Sequence, residues 1–144
     1  MDGQSVLREV KLTLPMSQDL ELSAVKTVAS VAGAMQMSPD KIDEVRQAVV
    51  EAFINAREYS HAEDGLVYMT FTVLGETEPQ ILQVKVRDTG RGFDPTGVEK
   101  PDIGAKIGGE NKRGWGLTII RGLMDDVKIE SGSEGTTVTM SKAR

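Results

Sequence analysis

A chain of 144 residues with no cysteine, a formal charge of −5 and a pI near 4.9 excludes disulfides, thiolate metal sites and a broadly basic nucleic-acid surface. Its single histidine, His61, rules out a multi-histidine metal centre or a serine–histidine triad within one chain, which leaves hard ions on oxygen ligands. A hydrophobic content of 39% fits one domain over residues 1–144, and the lack of an apolar run near the roughly 20 residues of a membrane span, or of a signal-peptide layout, predicts a cytoplasmic protein without a membrane partner.

In chain order, Val10, Leu12 and Leu14 alternate with Glu9, Lys11 and Thr13, predicting a first strand with one dry face that ends at Pro15. Residues 19–36 carry Leu22, Val25, Val28, Ala29, Ala32 and Met35 on one helical stripe. Ser38-Pro39 reads as an N-cap with proline at the first helical position. It opens a second helix to residue 59 with a core stripe of Ile42, Val45, Val49, Ala52, Phe53 and Ala56. Val67, Met69, Phe71 and Val73 alternate with polar neighbours in a second strand. Residues 75–79 read as the turn into a third strand that ends at Asp88, which makes an antiparallel hairpin. Residues 93–113 lose the pattern to prolines, glycines and charges, a length at which an irregular connection usually serves function, and read as a mobile lid. Leu117, Ile120 and Met124 resume helical spacing, and a final hairpin pairs residues 127–130 with residues 136–140 through a turn at 132–135. One apolar and one polar face on every strand predicts an α+β fold. Its form is a two-layer α/β sandwich whose mainly antiparallel sheet is covered by helices on one face.

Four groups of residues stand out from this frame. Leu82, Val84 and Val86 share one face of the third strand, and a period of two puts Asp88 on that apolar face. An unpaired buried carboxylate costs on the order of several kcal/mol, so Asp88 needs a local donor or a ligand. Gly90 and Gly92 behind it permit close backbone approach. The run reads either as an acceptor at the bottom of a pocket or as a tight turn in which the aspartate caps nearby amides.

Glu51 and Asn55, four residues apart, share a helical face turned away from the core stripe, with Ala48 one turn earlier leaving room beside them. They are either two solvated side chains or a carboxylate that accepts a hydroxyl proton next to a carboxamide oxygen that holds magnesium. Arg113-Gly-Trp-Gly-Leu117 places Gly114 and Gly116 before the third helix. There they serve either as a hinge or as an anion site of open amides, with Lys112 and Arg113 adding positive charge. Thr136 shares a face with Val138 and Met140, which carries its hydroxyl to the layer that holds Asp88.

An ExxxN helix, a DxGxG strand end, a long loop, GxG before a helix and a terminal Gly-Thr, in that order, resemble the GHKL ATPase superfamily of gyrase, heat-shock chaperones and sensor kinases. Glu51-Ala-Phe-Ile-Asn-Ala56, the run from Gly116 to Asp125 and the run from Gly135 to Met140 look most like the bacterial anti-sigma factor serine kinases. That resemblance implies the Bergerat, histidine-kinase-like ATPase fold with bound ATP and magnesium. It also implies a homodimer that phosphorylates a serine on a small STAS-type anti-sigma factor antagonist and sequesters a sigma factor.

Position by position, the resemblance makes Glu51 the general base and Asn55 the magnesium ligand. Asp88 becomes the acceptor for the adenine amine, with Gly90 and Gly92 lining the base. Lys112, Arg113, Gly114, Gly116 and Leu117 fall on the phosphate side of the lid, and Thr136, or Thr137 if the register slips by one, assists near the base. No helical hairpin with a phosphoacceptor histidine precedes the domain, so a whole sensor kinase is not expected. The alternative to a sigma-binding kinase is a switch kinase or a nucleotide-gated partner-binding module.

Overall fold

Alternation along the chain produces five antiparallel strands, β1 (Val6–Pro15), β2 (Leu66–Leu74), β3 (Ile81–Asp88), β4 (Asp126–Gly132) and β5 (Gly135–Ala143). They lie in one sheet in the order β1-β2-β3-β5-β4. The computed structural model describes residues 5–75, 80–90 and 111–144, so the predicted turn at 76–79, most of the predicted lid and Gly92 lie outside the described residues. Three helices, α1 (Glu21–Ala34), α2 (Pro39–Tyr59) and α3 (Asn111–Leu123), complete the α+β sandwich, with α2 packed between α1 and α3.

The core forms where the strand and helix periodicities meet. Val67, Met69, Phe71 and Val73 of β2, Leu82, Val84 and Val86 of β3 and Met140 of β5 share one cluster with Val45, Val49, Ala52, Phe53 and Ala56 of α2. Phe53 and Phe71 are fully buried, and each such side chain contributes about 1.5–3 kcal/mol relative to exposure. α2 begins as its sequence dictates. The Ser38 hydroxyl accepts the Lys41 amide at 3.4 Å, Pro39 occupies the first turn, and Arg57 stands in the last turn, where the helix dipole favours a cation.

Three expectations change. Leu22 is exposed, because the buried stripe of α1 is Ala24, Val25, Val28, Val31 and Ala32; Leu22 stands about 120° around the helix from Val28. The dry face of β1 is confined to Leu14 and the partly buried Leu12, while Val10 is exposed, since α1 packs on α2 and β2 and leaves the edge strand uncovered. The third helix starts at Asn111, so Gly114 and Gly116 lie within its first turns instead of forming a junction before it.

Candidate active site

Asp88 ends β3 buried, directly opposite the buried Thr136 of β5. The Gly90 amide donates to Asp88 Oδ1 at 2.9 Å, so the local-capping reading of this aspartate holds. The same carboxylate lines a narrow cavity of ≈ 10 Å³, about the space of one water, with Ala52, Asn55, Ala56, Val86, Leu117, Thr136 and Val138. Two glycines make this corner possible. A Cβ on Gly90 would collide with the Ser60 carbonyl at the end of α2, and one on Gly135, whose φ is +130°, would strike the Asp88 carbonyl. Both obstacles are backbone and cannot rotate away. Gly90→Ala is therefore expected to lower thermal stability sharply and to weaken nucleotide binding with it, measured by melting and titration of the same variant. An unchanged melting temperature would mean that this close packing does not constrain the corner.

Thr136 is held by Ser131, its cross-strand neighbour on β4, with the two hydroxyl oxygens 2.7 Å apart. Ser131 was missed by motif reading, although a turn at residues 132–135 places it opposite Thr136 once the hairpin register is drawn. The same register puts Thr137 opposite Arg87, one position beyond the pair that holds Asp88.

On the helical side, Asn55 is buried and its Oδ1 has no hydrogen-bond partner among the described residues. Such an orphaned acceptor is costly, roughly 1–3 kcal/mol, and calls for a donor or a cation. The face that carries Glu51 and Asn55, expected to lie away from the core stripe, is covered, because α3 packs across α2 and the buried side of the helix extends to Ala48 and Asn55. Gly116 faces both groups: a Cβ there would sit 3.7 Å from Glu51 Oε2 and from Asn55 Nδ2, in ordinary van der Waals contact. Ala48, expected to leave room beside them, is instead fully buried in the core.

Burial pushes the Glu51 carboxyl above its ordinary range, and the negative charge of Glu58 pushes it further the same way. Glu58 and Ser60 thus join the site without any motif to announce them. Gly114 and Leu117 are buried on α3, and Trp115 is half-buried with an indole N–H that lacks a partner among the described residues. Lys112 and Arg113 fall in the first turn of α3, and their side chains lie outside the described residues.

The donor set fits a hard cation. The Asn55 oxygen and the Glu51 carboxylate are oxygen ligands of the kind magnesium takes. Among the described residues no three acidic or histidine side chains cluster as a self-sufficient metal site, so a magnesium ion would draw most of its ligands from phosphate and water. Among these residues no helix is long and apolar enough to cross a membrane.

An open antiparallel sheet under three helices, with a polar helix face closed by glycine-bearing α3, is the histidine-kinase-like ATPase architecture, and residues 16–142 match the family described as histidine kinase-like ATPase domain. The chain belongs to that family and, within it, to the anti-sigma factor serine kinases. It is 31% identical over 137 residues to an anti-sigma F factor of Priestia megaterium, covering 88% of this chain and 86% of the relative. It is 28% identical to the serine-protein kinase RsbW of Bacillus cereus, covering 93% of this chain and 84% of that protein. A crystal structure of the RsbU and RsbW domains of a Mycobacterium tuberculosis protein superposes with a TM-score of 0.69 at 18% identity. That match covers 95% of this chain and 33% of the other. The likeness to this last structure is one of fold.

Proposed function

We propose that this protein is an ATP-dependent serine protein kinase and anti-sigma factor, which phosphorylates a small STAS-type antagonist and sequesters a sigma factor as a homodimer. The orphaned Asn55 oxygen, set beside the Glu51 carboxylate under Gly116, is the observation that carries the reading. Asn55 would hold magnesium, and bound magnesium-ATP supplies the phosphoryl group. Asp88 would accept from the adenine amine, with Thr136 beside it and Gly90 and Gly92 along the base. Gly114, Gly116, Leu117, Lys112 and Arg113 would attend the phosphates. Glu51 takes the proton of the attacking serine hydroxyl. A carboxyl whose pKa lies above the ordinary range is a better proton acceptor than a fully solvated one.

Incubation with magnesium-ATP and the STAS-type proteins of the same genome is expected to yield phosphoserine on one of them, and capture from native cells is expected to recover a sigma factor when ATP is present. Phosphoserine without a recovered sigma factor would move the assignment to a switch kinase. Nucleotide binding without phosphoserine would leave a nucleotide-gated binding module.

A further inference from the structure

Three neighbouring strands turn from apolar to polar at the same level, on the side of the sheet that faces the helices. On β3 the series Leu82, Val84, Val86 ends in Asp88, on β5 Met140 and Val138 lead to Thr136, and on β4 Val127 and Ile129 lead to Ser131. The register sets the three end residues side by side, Asp88 opposite Thr136 and Thr136 opposite Ser131. Asp88 and Thr136 line the narrow cavity, whereas Ser131 stands one strand further out, on the edge strand β4. Its 2.7 Å contact is the one hydrogen bond of the Thr136 hydroxyl among the described residues.

We propose that Ser131 is a positioning residue for base recognition: it donates its proton to Thr136, which leaves the Thr136 proton for the ring nitrogen beside the adenine amine. This rests on the placement of adenine at Asp88 and on nothing in the phosphoryl-transfer reading, so base specificity and kinase activity stand or fall separately.

A hydroxyl has one proton to give and two lone pairs to offer. Were the Thr136 proton spent on Ser131, Thr136 could only accept from a ligand. With Ser131 as the donor, Thr136 is filled on that side and gives its own proton into the cavity. Thr136 is 4% exposed, so its neighbour and not bulk water sets this direction. Adenine presents two adjacent groups of opposite polarity, an amine that donates and a ring nitrogen that accepts. An ionised Asp88 is an acceptor only and answers the amine; the ring nitrogen then needs a donor, and Thr136 stands one strand over, with its Cβ about 5 Å from that of Asp88.

Guanine and hypoxanthine reverse both groups, with a carbonyl in place of the amine and an N–H at the ring position. They would set an acceptor against Asp88 and a donor against the Thr136 proton. Buried polar groups mismatched in this way are rejected far more strongly than a missing apolar contact. A Thr136 hydroxyl released from Ser131 could turn a lone pair to that N–H as readily as its proton to adenine, so the second half of the discrimination depends on Ser131.

Calorimetric titration of the full chain with ATP, with inosine triphosphate and with 1-deaza-ATP, which carries carbon in place of that ring nitrogen, tests the proposal. Ser131→Val removes the hydroxyl and keeps a branched side chain suited to a strand, Ser131→Thr keeps both, and Ser131→Ala repeats the deletion with less bulk. Ser131→Val and Ser131→Ala are each expected to weaken ATP binding about 10-fold and to leave 1-deaza-ATP binding as in wild type, while Ser131→Thr binds both as wild type does. Melting without nucleotide checks that each variant folds. Equal losses for ATP and 1-deaza-ATP would make Ser131 a brace of the hairpin and overturn the proposal, as would unchanged ATP affinity in both deletion variants or a wild type that binds ATP and 1-deaza-ATP alike. A wild type that binds ATP and inosine triphosphate alike would overturn the placement of adenine at Asp88 and the proposal with it.

Discussion

Glu51→Gln is expected to slow phosphoryl transfer to the antagonist by about 10²–10⁴-fold while nucleotide affinity is retained, since the amide keeps the size of the side chain and removes the proton acceptor. The same substitution has a second, opposite effect on the fold. Burial and the charge of Glu58 raise the Glu51 pKa above its ordinary value of 4.5, so the folded chain binds this proton more tightly than the unfolded chain. Stability contributed by the group is therefore present below the ordinary value and is lost as pH rises through the folded one. At neutral pH the ionised carboxylate opposes folding, and the glutamine variant should melt at a higher temperature than wild type. The difference should shrink as pH falls through the folded value and be gone below 4.5. Transfer at the wild-type rate would remove Glu51 from the mechanism, and a lower melting temperature at neutral pH would contradict the burial argument.

Asp88→Asn should weaken ATP and ADP binding by about 1–3 kcal/mol, roughly 5- to 150-fold, with little change in melting temperature. The bond from the Gly90 amide survives because an asparagine oxygen can occupy the Oδ1 position, so the turn itself is kept. The other side-chain atom changes from acceptor to donor and would face the adenine amine, a second donor. Buried polar groups that are mismatched in this way discriminate more strongly than lost apolar contact does. Isothermal calorimetry with ATP, ADP and GTP reads the effect, and unchanged affinity for the adenine nucleotides would detach Asp88 from base recognition.

Periodicity carried the interior of this fold well and its borders poorly. β2 and β3 were legible because each has one clean apolar face, and Asp88 stood out because it broke that pattern at a predictable position. α2 was legible from both ends, with Ser38-Pro39 as its start and a continuous stripe to Ala56. Burial of Asn55 was not, because a helix's own spacing cannot say which neighbour will cover its polar side. That information lies in α3, whose start was obscured by glycines. Glycine lowers intrinsic helix propensity by about 1 kcal/mol, so Gly114 and Gly116 read as a break, yet packing of α3 against α2 outweighs that penalty. Val10 failed in the opposite sense. Its alternation promised burial, but a strand at the sheet border is dry only where a helix reaches it.

The pairing of Asp88 with Thr136 has a consequence for when this molecule can first recognise its ligand. α2 can present Glu51 and Asn55 once the earlier elements have assembled, whereas the floor opposite them awaits β5, the last in chain order among the described elements. Closing so long a loop is slow compared with forming local helices, and a fragment that stops before Thr136 lacks part of the cavity wall. A nucleotide that binds only the completed floor draws late-folding chains toward the native state by mass action and gives nothing to chains that stop short. Occupancy by nucleotide then marks a chain whose β5 has docked beside β3.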